Sequence, residues 1–412
     1  MKEMVIMDLV YGTPFWPSTF NTNSTYPPLQ NDISCDCLII GGGMGGALTS
    51  ELLTERGVNT VVIDKRKIAH GSSSANTGLL QYTNDKTLTS CINTFGEQTG
   101  VRFYELCREA MQKLTQIADR LDTDPWFVPR TSLCFASSIA DVDLLEQEYE
   151  TLQRYGFEAE LWKSDKISSH FPFSKPAGLY TLGDAEVNPY RFVHALFESA
   201  SKRGARIYGQ TEMIHCEFDD DGVLCHTQGG KIRANKVIFA AGYETQSIKR
   251  DPGAYLQTTY AIATKPLPDL KEWYEHSLIW ETARPYLYMR TTPDGRIIAG
   301  GLDEETPRED QREIRAKHRG DTLLEQVRSY FPLEGLEVDY AWGAVFGNTH
   351  DGLPFIGPHP EYPHSYFLEG YGGNGTVYSM FAASILADAV TGVENRDMEL
   401  FSLTRTRKPS PV

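Results

Sequence analysis

The chain has 412 residues, 41% of them apolar, and a formal net charge of −16. That length holds two or three domain-sized bodies with a large core, and the acidic balance excludes a nucleic-acid partner of the usual basic kind. No run approaches the ~18–20 apolar residues of a membrane span, and seven irregularly spaced cysteines make no disulfide framework, so a cytoplasmic protein is expected.

Residues 1–31 begin with too short an apolar run for a signal peptide. Pro14, Pro17, Pro27 and Pro28 argue against a regular element, whereas Phe15, Trp16 and Tyr26 are too apolar for a free tail. An extended strap lying on the protein body is expected. Cys35 and Cys37 read as packing residues, and no metal site is expected.

The strongest signal runs from Asp36 to Arg66. An apolar strand, Cys37 to Ile40, leads into Gly41, Gly43 and Gly46 in the spacing G-x-G-x-x-G, followed by a helical pattern with Leu48, Leu52 and Leu53 on one face. Gly57 ends the helix, Thr60–Ile63 makes a second strand, and Asp64 stands at its tip. The first glycine permits a tight turn, the second admits a pyrophosphate, and the third lets helix and sheet pack closely. The helix N-terminus attracts the phosphates, and Asp64 can accept from a ribose hydroxyl. A dinucleotide site follows; the motif alone does not separate FAD from NAD.

The segment His70 to Tyr82 is densely polar, with Gly71, Ser72, Ser73, Ser74, Asn76, Thr77, Gly78 and Leu79, and suits phosphate and flavin-ring contacts. A helix is expected over about 100–121, strands over 124–138, a surface helix over 141–156, and a turn-rich connection over 157–183. A loop and helix beginning near Pro189 follow, with His194 as a packed residue. Thr211 to Phe218 and Val223 to Thr227 form a hairpin about Asp221-Gly222. Lys236 to Gly242 is a third buried strand ending in Ala240-Ala241-Gly242, small enough for close ligand approach. Strands are expected at 255–264, 278–280, 286–290 and 296–301, with a helix at about 309–330. Then DGLPFIG, residues 351–357, precedes a strand at 366–369, a turn with Gly370, Gly372, Gly373 and Gly375, and a helix over about 376–390. This second helix N-terminus would stabilise negative charge on a reduced flavin.

Four segments therefore stand in order: GGGMGG with Asp64, HGSSSANTGLL, KVIFAAG, and DGLPFIG followed by EGYGGNG. That order, over about residues 34–395, resembles the D-amino-acid oxidase-like FAD-dependent oxidoreductases, the glycine and sarcosine oxidase relatives. It looks most like their γ-glutamylputrescine oxidoreductase branch. The resemblance implies an α/β fold with a discontinuous, glutathione-reductase-like FAD-binding Rossmann domain and a β-sheet-based substrate domain. The FAD domain is expected over 32–95, 184–250 and 344–395, the substrate domain over 96–183 and 251–343, and a C-terminal tail over 396–412.

The resemblance also implies hydride transfer from the C–H beside an amine nitrogen to flavin N5, imine hydrolysis, and oxygen or another electron acceptor. By residue, it places Gly41, Gly43, Met44 and Gly46 at the pyrophosphate, and Asp64, Lys65 and Arg66 at the adenosine ribose. It places Gly71–Ser74 and Asn76–Leu79 along the ribityl chain and flavin. Met213 falls at adenine, Ala241 and Gly242 at the AMP half, and Gly372, Gly373, Asn374, Gly375, Thr376 and Val377 at the pyrimidine side. The basic residues with which family members hold a substrate carboxylate correspond to Phe346, Tyr82 and Asn374 here. The oxygen-activating lysine corresponds to Ile298, and the flavin-linking cysteine to Val345–Phe346. An unpaired carboxylate in a closed pocket is costly. A small-molecule amine and non-covalent FAD are therefore expected. An amino-acid dehydrogenase anchored by Arg284 or Arg290, an NAD-dependent dehydrogenase and a non-catalytic flavoprotein remain alternatives. Tyr286, Tyr288 and Arg290, at alternate positions, and Tyr371 are the expected pocket wall. His350 is the one titrating candidate, without an obligatory catalytic base.

Overall fold

The computed structural model describes residues 9–21 and 24–405. Two sheets organise them. The eight-stranded sheet grows from Ile33–Ile40, whose last four residues are all buried, as befits a parallel strand covered on both faces. It pairs in parallel with Thr60–Ile63 and with Lys231–Phe239, and Arg206–Tyr208 and Tyr362–Glu369 extend the parallel part outward. Phe355–His359 closes one edge antiparallel, and the hairpin Met213–Asp219 and Gly222–Thr227 hangs from Lys231–Phe239. Helix Met44–Glu55 packs against helices Pro189–Lys202 and Gly375–Val390. Met44–Glu55 and Gly375–Val390 are buried nearly all round, the mark of helices inside a core.

The other sheet has ten strands, in the order Val10–Gly12, Val338–Thr349, Ala254–Thr264, Ile297–Glu304, Leu287–Thr291, Leu278–Glu281, Val128–Phe135, Ala177–Glu186 and Leu79–Leu80; Ala159–Lys163 also pairs with Ala177–Glu186. Helix Arg312–Tyr330 lies on it, and Leu323 and Val327 join Tyr260, Ile262 and Met289 in a second core. The fold is thus mixed α/β: a Rossmann FAD-binding domain and a sheet-based substrate domain. The expected boundaries at 183/184 and 343/344 fall inside Ala177–Glu186 and Val338–Thr349. No helix among the described residues is long and apolar enough to cross a membrane.

Three expectations need correction. The stretch 157–183 is not a turn-rich connection: it holds strand Ala159–Lys163, helix Ser164–His170 and most of strand Ala177–Glu186. Its prolines, Pro172 and Pro176, sit only in the joint between helix and strand. The described part of the strap is not without regular structure. Val10–Gly12 adds a strand to the sheet edge, and Trp16–Thr19 makes a 3-10 turn with Pro17 at its start. Residues 1–8, 22–23 and 406–412 lie outside the described residues. The twelve-residue strand Val338–Thr349 is an addition to the expected set.

Candidate active site

The carboxyl ends of four parallel strands converge on one cavity of about 320 Å³. Gly41 follows Ile40, Asp64 follows Ile63, Ala240 follows Phe239 and Gly370 follows Glu369, and all four line it. Ligands of open parallel sheets bind at such ends. Thr259, Trp280, Tyr286, Tyr288 and Asp303 of the ten-stranded sheet form the opposite wall.

The expected cofactor residues Gly41, Gly43, Met44, Asp64, Lys65, Arg66, Gly71, Ser72, Ser73, Asn76, Thr77, Leu79, Met213, Ala241, Gly242, Gly372, Gly373, Asn374, Gly375 and Thr376 all line the cavity. Gly41 has φ +124°, and a side chain there would strike the Ala240 carbonyl. Asp64 accepts from the N–H groups of Gly42 and Arg66, each at 2.7 Å, so the carboxylate fixes the glycine turn as well as facing the cavity. Burial raises its carboxyl above the ordinary aspartate range, against those hydrogen bonds. Arg66 and Lys65 are held by Glu244, at 2.7 and 2.9 Å. Burial works against the Glu244 charge, but these hydrogen bonds outweigh it and keep the carboxyl below its usual value.

The Ser72 hydroxyl is buried in the wall with no hydrogen-bond partner among the described residues. A polar ligand would satisfy it. With the room left by the glycines and the two helix N-termini, the donor set fits a flavin dinucleotide.

Four expected cofactor residues do not line the cavity. Gly46 lies against the Gly41 carbonyl, where any side chain would part helix from strand. Ser74 turns its hydroxyl back to the Gly71 carbonyl, at 2.8 Å. Gly78 is wedged against Val187 and Arg290, and Val377 is core. The 72–78 segment is held from behind by two indoles. Trp16 donates to the Asn76 carbonyl at 2.6 Å, and Trp342 to that of Ala75 at 2.9 Å. Asn374 ties the second glycine turn down, its amide donating to the carbonyls of Gln81 and Thr83 and to Asn84 Oδ1.

On the opposite wall, Tyr286 and Tyr288 reach the cavity as expected, their rings 5.6 Å apart; Tyr371 reaches it from the second glycine turn and stacks on Tyr243. Arg290 does not. Its guanidinium is buried behind the 72–78 segment, donating to the Thr77 and Val187 carbonyls at 2.8 Å each and facing Glu186 at 3.5 Å. Wholly buried among those acceptors, it is turned away from the cavity, which it does not line. Strand alternation carries Arg290 past the end of the cavity rather than into it. His350 is exposed, stacks on Tyr255 at 5.1 Å and does not line the cavity, which removes it as a catalytic candidate.

Two residues absent from the expectation stand in their place. Asp85 and Asp303 both line the cavity. Burial pushes the Asp303 carboxyl up to about 6, with the Asp85 charge adding to it; the Asp85 side chain is itself 39% exposed. The basic residues lining the described cavity are Lys65 and Arg66, both at the Asp64 end, and no cysteine lines it. Arg284 lies over the Tyr286 ring at 4.6 Å and 3.7 Å from Asp85. An acid at a strand end was the available signal for Asp303. Gly301 and Leu302, with φ of +138° and +58°, turn the chain just before it and hide its direction from any period-2 reading.

Away from the cavity, His215, Glu217 and His226 bring ligand atoms within 4.8 Å of one another on the outer hairpin. This group was not among the sequence expectations, and its two imidazoles stack at 4.1 Å.

Comparison with known proteins agrees with this geometry. A family model described as FAD dependent oxidoreductase (DAO) matches residues 36–389. Glycine oxidase of Geobacillus kaustophilus is 25% identical, over 90% of this chain and 97% of that one. Gamma-glutamylputrescine oxidoreductase of Escherichia coli is 22% identical, over 94% and 90%. The crystal structure of the Geobacillus kaustophilus glycine oxidase superposes with a TM-score of 0.77 at 22% identity, covering 91% of this chain and all of that one. The chain belongs to the DAO family of FAD dependent oxidoreductases, enzymes that act on amines or amino acids with an electron acceptor.

Proposed function

We propose that this enzyme oxidises the C–N bond of an alkyl amine whose reacting end bears no carboxylate, a γ-glutamylputrescine-like amine being one such substrate. The observation that supports it is the composition of the substrate wall. Tyr286, Tyr288, Asp85 and Asp303 line it, and no lysine or arginine does. An α-carboxylate brought there would meet two carboxylates, and the guanidinium near them, that of Arg284, is half exposed and turned to the Ala283 carbonyl.

When bound, FAD would supply the acceptor for the hydride that leaves the C–H beside the amine nitrogen, and water would hydrolyse the imine product. The chain's own work is placement. Asp64 and the 41–46 turn would hold the adenosine and pyrophosphate end, and Ser72 and Ser73 the middle. The 370–375 turn covers the flavin end, with a helix N-terminus that favours negative charge. The tyrosines exclude water and set the amine against the ring. The reacting nitrogen must arrive neutral, and no side chain needs to act as a strong base. The same reading assigns the eight-stranded sheet to FAD and the ten-stranded sheet to substrate. Seven free cysteines suit a reducing cytoplasm.

An anaerobic screen of amines and amino acids for bleaching of the bound flavin tests this. Rapid bleaching is expected with primary or secondary alkyl amines and slow bleaching with α-amino acids. The reverse order would favour the second reading, an amino-acid dehydrogenase whose carboxylate is met by Arg284 at the cavity mouth.

A further inference from the structure

The substrate wall holds more negative charge than the oxidation of one neutral amine requires. Among the described residues Asp85 has one cation within ion-pair range, Arg284 at 3.7 Å, beyond hydrogen-bond distance. The Arg284 guanidinium donates instead to the Ala283 carbonyl at 3.0 Å, and its side chain is half exposed. Asp303 makes no ion pair among the described residues, though Arg284 acts on it at longer range: it accepts from the Gln257 amide at 3.3 Å and interacts with the Thr259 hydroxyl. Two carboxylates thus face one cavity, Asp85 39% exposed and Asp303 half-buried, with one half-exposed guanidinium acting on both.

A separate observation points into the same space. Thr83, 6% exposed and part of the lining, has a buried hydroxyl with no hydrogen-bond partner among the described residues. The space itself is kept open by Gly373. A methyl group there would stand 2.7 Å from Asp85 Oδ2 and 3.7 Å from the Tyr286 hydroxyl. The walls between the acids are aromatic, with Tyr286 and Tyr288 presenting rings to the cavity.

We propose that Asp85 and Asp303, together with the Tyr286 and Tyr288 rings and the Thr83 hydroxyl, form a receptor for a second, charged nitrogen of the substrate, so that the enzyme takes diamines and longer polyamines in preference to monoamines. This rests on the amine-oxidising reading above. The charges close: two carboxylates, Arg284 and one substrate ammonium sum to zero, while the reacting nitrogen is neutral. An ammonium donates three hydrogen bonds, enough for both acids and the threonine oxygen. The rings add cation–π attraction. A hard divalent metal ion fits less well, since it needs six or more oxygen ligands and gains nothing from the tyrosines.

The test compares 1,4-diaminobutane, n-butylamine and 4-aminobutanoate on the holoenzyme. They share one reacting end and carry a cation, nothing or an anion at the other. Dissociation constants come from anaerobic flavin bleaching. Calorimetry on enzyme whose flavin has first been chemically reduced gives the same comparison among the three ligands without turnover. The diamine is expected to bind on the order of 10- to 100-fold more tightly than the monoamine, as one charge-assisted hydrogen-bonded pair allows, and the carboxylated amine more weakly. Asp303→Asn should shrink the diamine-to-monoamine ratio toward one, and Asp303→Glu should retain most of it; bound flavin and its visible spectrum check that each variant is folded. Equal constants for diamine and monoamine in the wild-type enzyme, or tighter binding of 4-aminobutanoate, would overturn the receptor and leave amine oxidation standing. Failure of every amine to bleach the flavin would instead remove the reading on which it rests.

Discussion

Trp16 and Asn76 are joined across 60 positions of sequence by a single 2.6 Å hydrogen bond from the indole nitrogen to the amide carbonyl. Through it, the N-terminal strap holds the loop that carries Ser72, Ser73 and Thr77 into the cavity. Phe15 backs the contact by packing on Tyr340, and the Asn76 amide reaches Thr376 beside the second glycine turn at 3.4 Å. Trp16→Phe keeps an apolar ring but removes the donor. It should weaken FAD binding by about 1 kcal/mol, one hydrogen bond's worth, in a titration of apoprotein with flavin. An unchanged dissociation constant would mean that Trp342 holds the loop alone.

Asp64→Ala should weaken FAD binding by about 1–3 kcal/mol, since the carboxylate holds the glycine turn and, on the function proposed, would also accept from the ribose. The Gly42 and Arg66 N–H groups lose their acceptor in that variant. Acid precipitation should release all flavin into the supernatant, because no cysteine is among the residues that line the described cavity. Yellow colour left in the pellet contradicts this.

The charge state of Asp303 predicts a pH dependence. Its carboxyl is raised to about 6 by burial, with Asp85 reinforcing the shift and Arg284 opposing it. Protonation discharges the group. Cation binding should therefore be full above that pH and fall by about tenfold per unit below it, by linkage. Diamine dissociation constants measured between pH 5 and 8 should show the change, and monoamine constants should show little of it once the amine's own ionisation is allowed for.

Arg290→Met should lower stability rather than alter specificity. Its guanidinium lies between two carbonyls and Glu186, and the substitution leaves all three short of a donor. A loss of about 3 kcal/mol is expected for breaking a buried pair, moderated because Arg130 also holds Glu186 at 3.0 Å. Thermal unfolding measures it. A selective loss of affinity for carboxylated amines, with stability intact, would restore Arg290 as a substrate anchor.

His350→Ala should change the reductive rate at saturating amine by less than about tenfold, where removal of a true general base costs 10²–10⁴. Stopped-flow reduction of the flavin decides it.

Much of the cofactor half was legible because backbone geometry dictates it. A turn that must not collide with Ala240, and a helix that must lie on Gly41, leave glycine as the residue that fits at 41 and 46. The Asp-Gly hairpin at 221–222 was legible for a similar reason. Val338–Thr349 was not, because Gly343 and Gly347 interrupt its alternation. Their missing side chains are supplied by rings from elsewhere: Tyr11 covers Gly343, and Tyr371 with Tyr243 covers Gly347. The substrate half was the least legible. Tyr286 and Tyr288 followed from strand periodicity, but the depth at which a cavity ends is set by tertiary packing, so Arg290 was placed one step too far along. Asp85 lies between elements, where no periodicity applies.

The three residues Val10–Gly12 cover part of the exposed flank of Val338–Thr349 by pairing with Trp342, Gly343 and Ala344. Without them, that long strand would present unpaired N–H and C=O groups as a template for another chain. The small strap strand thus shields the protein from association with its own copies, and chains shortened past Gly12 would pair edge to edge and precipitate as their concentration rises.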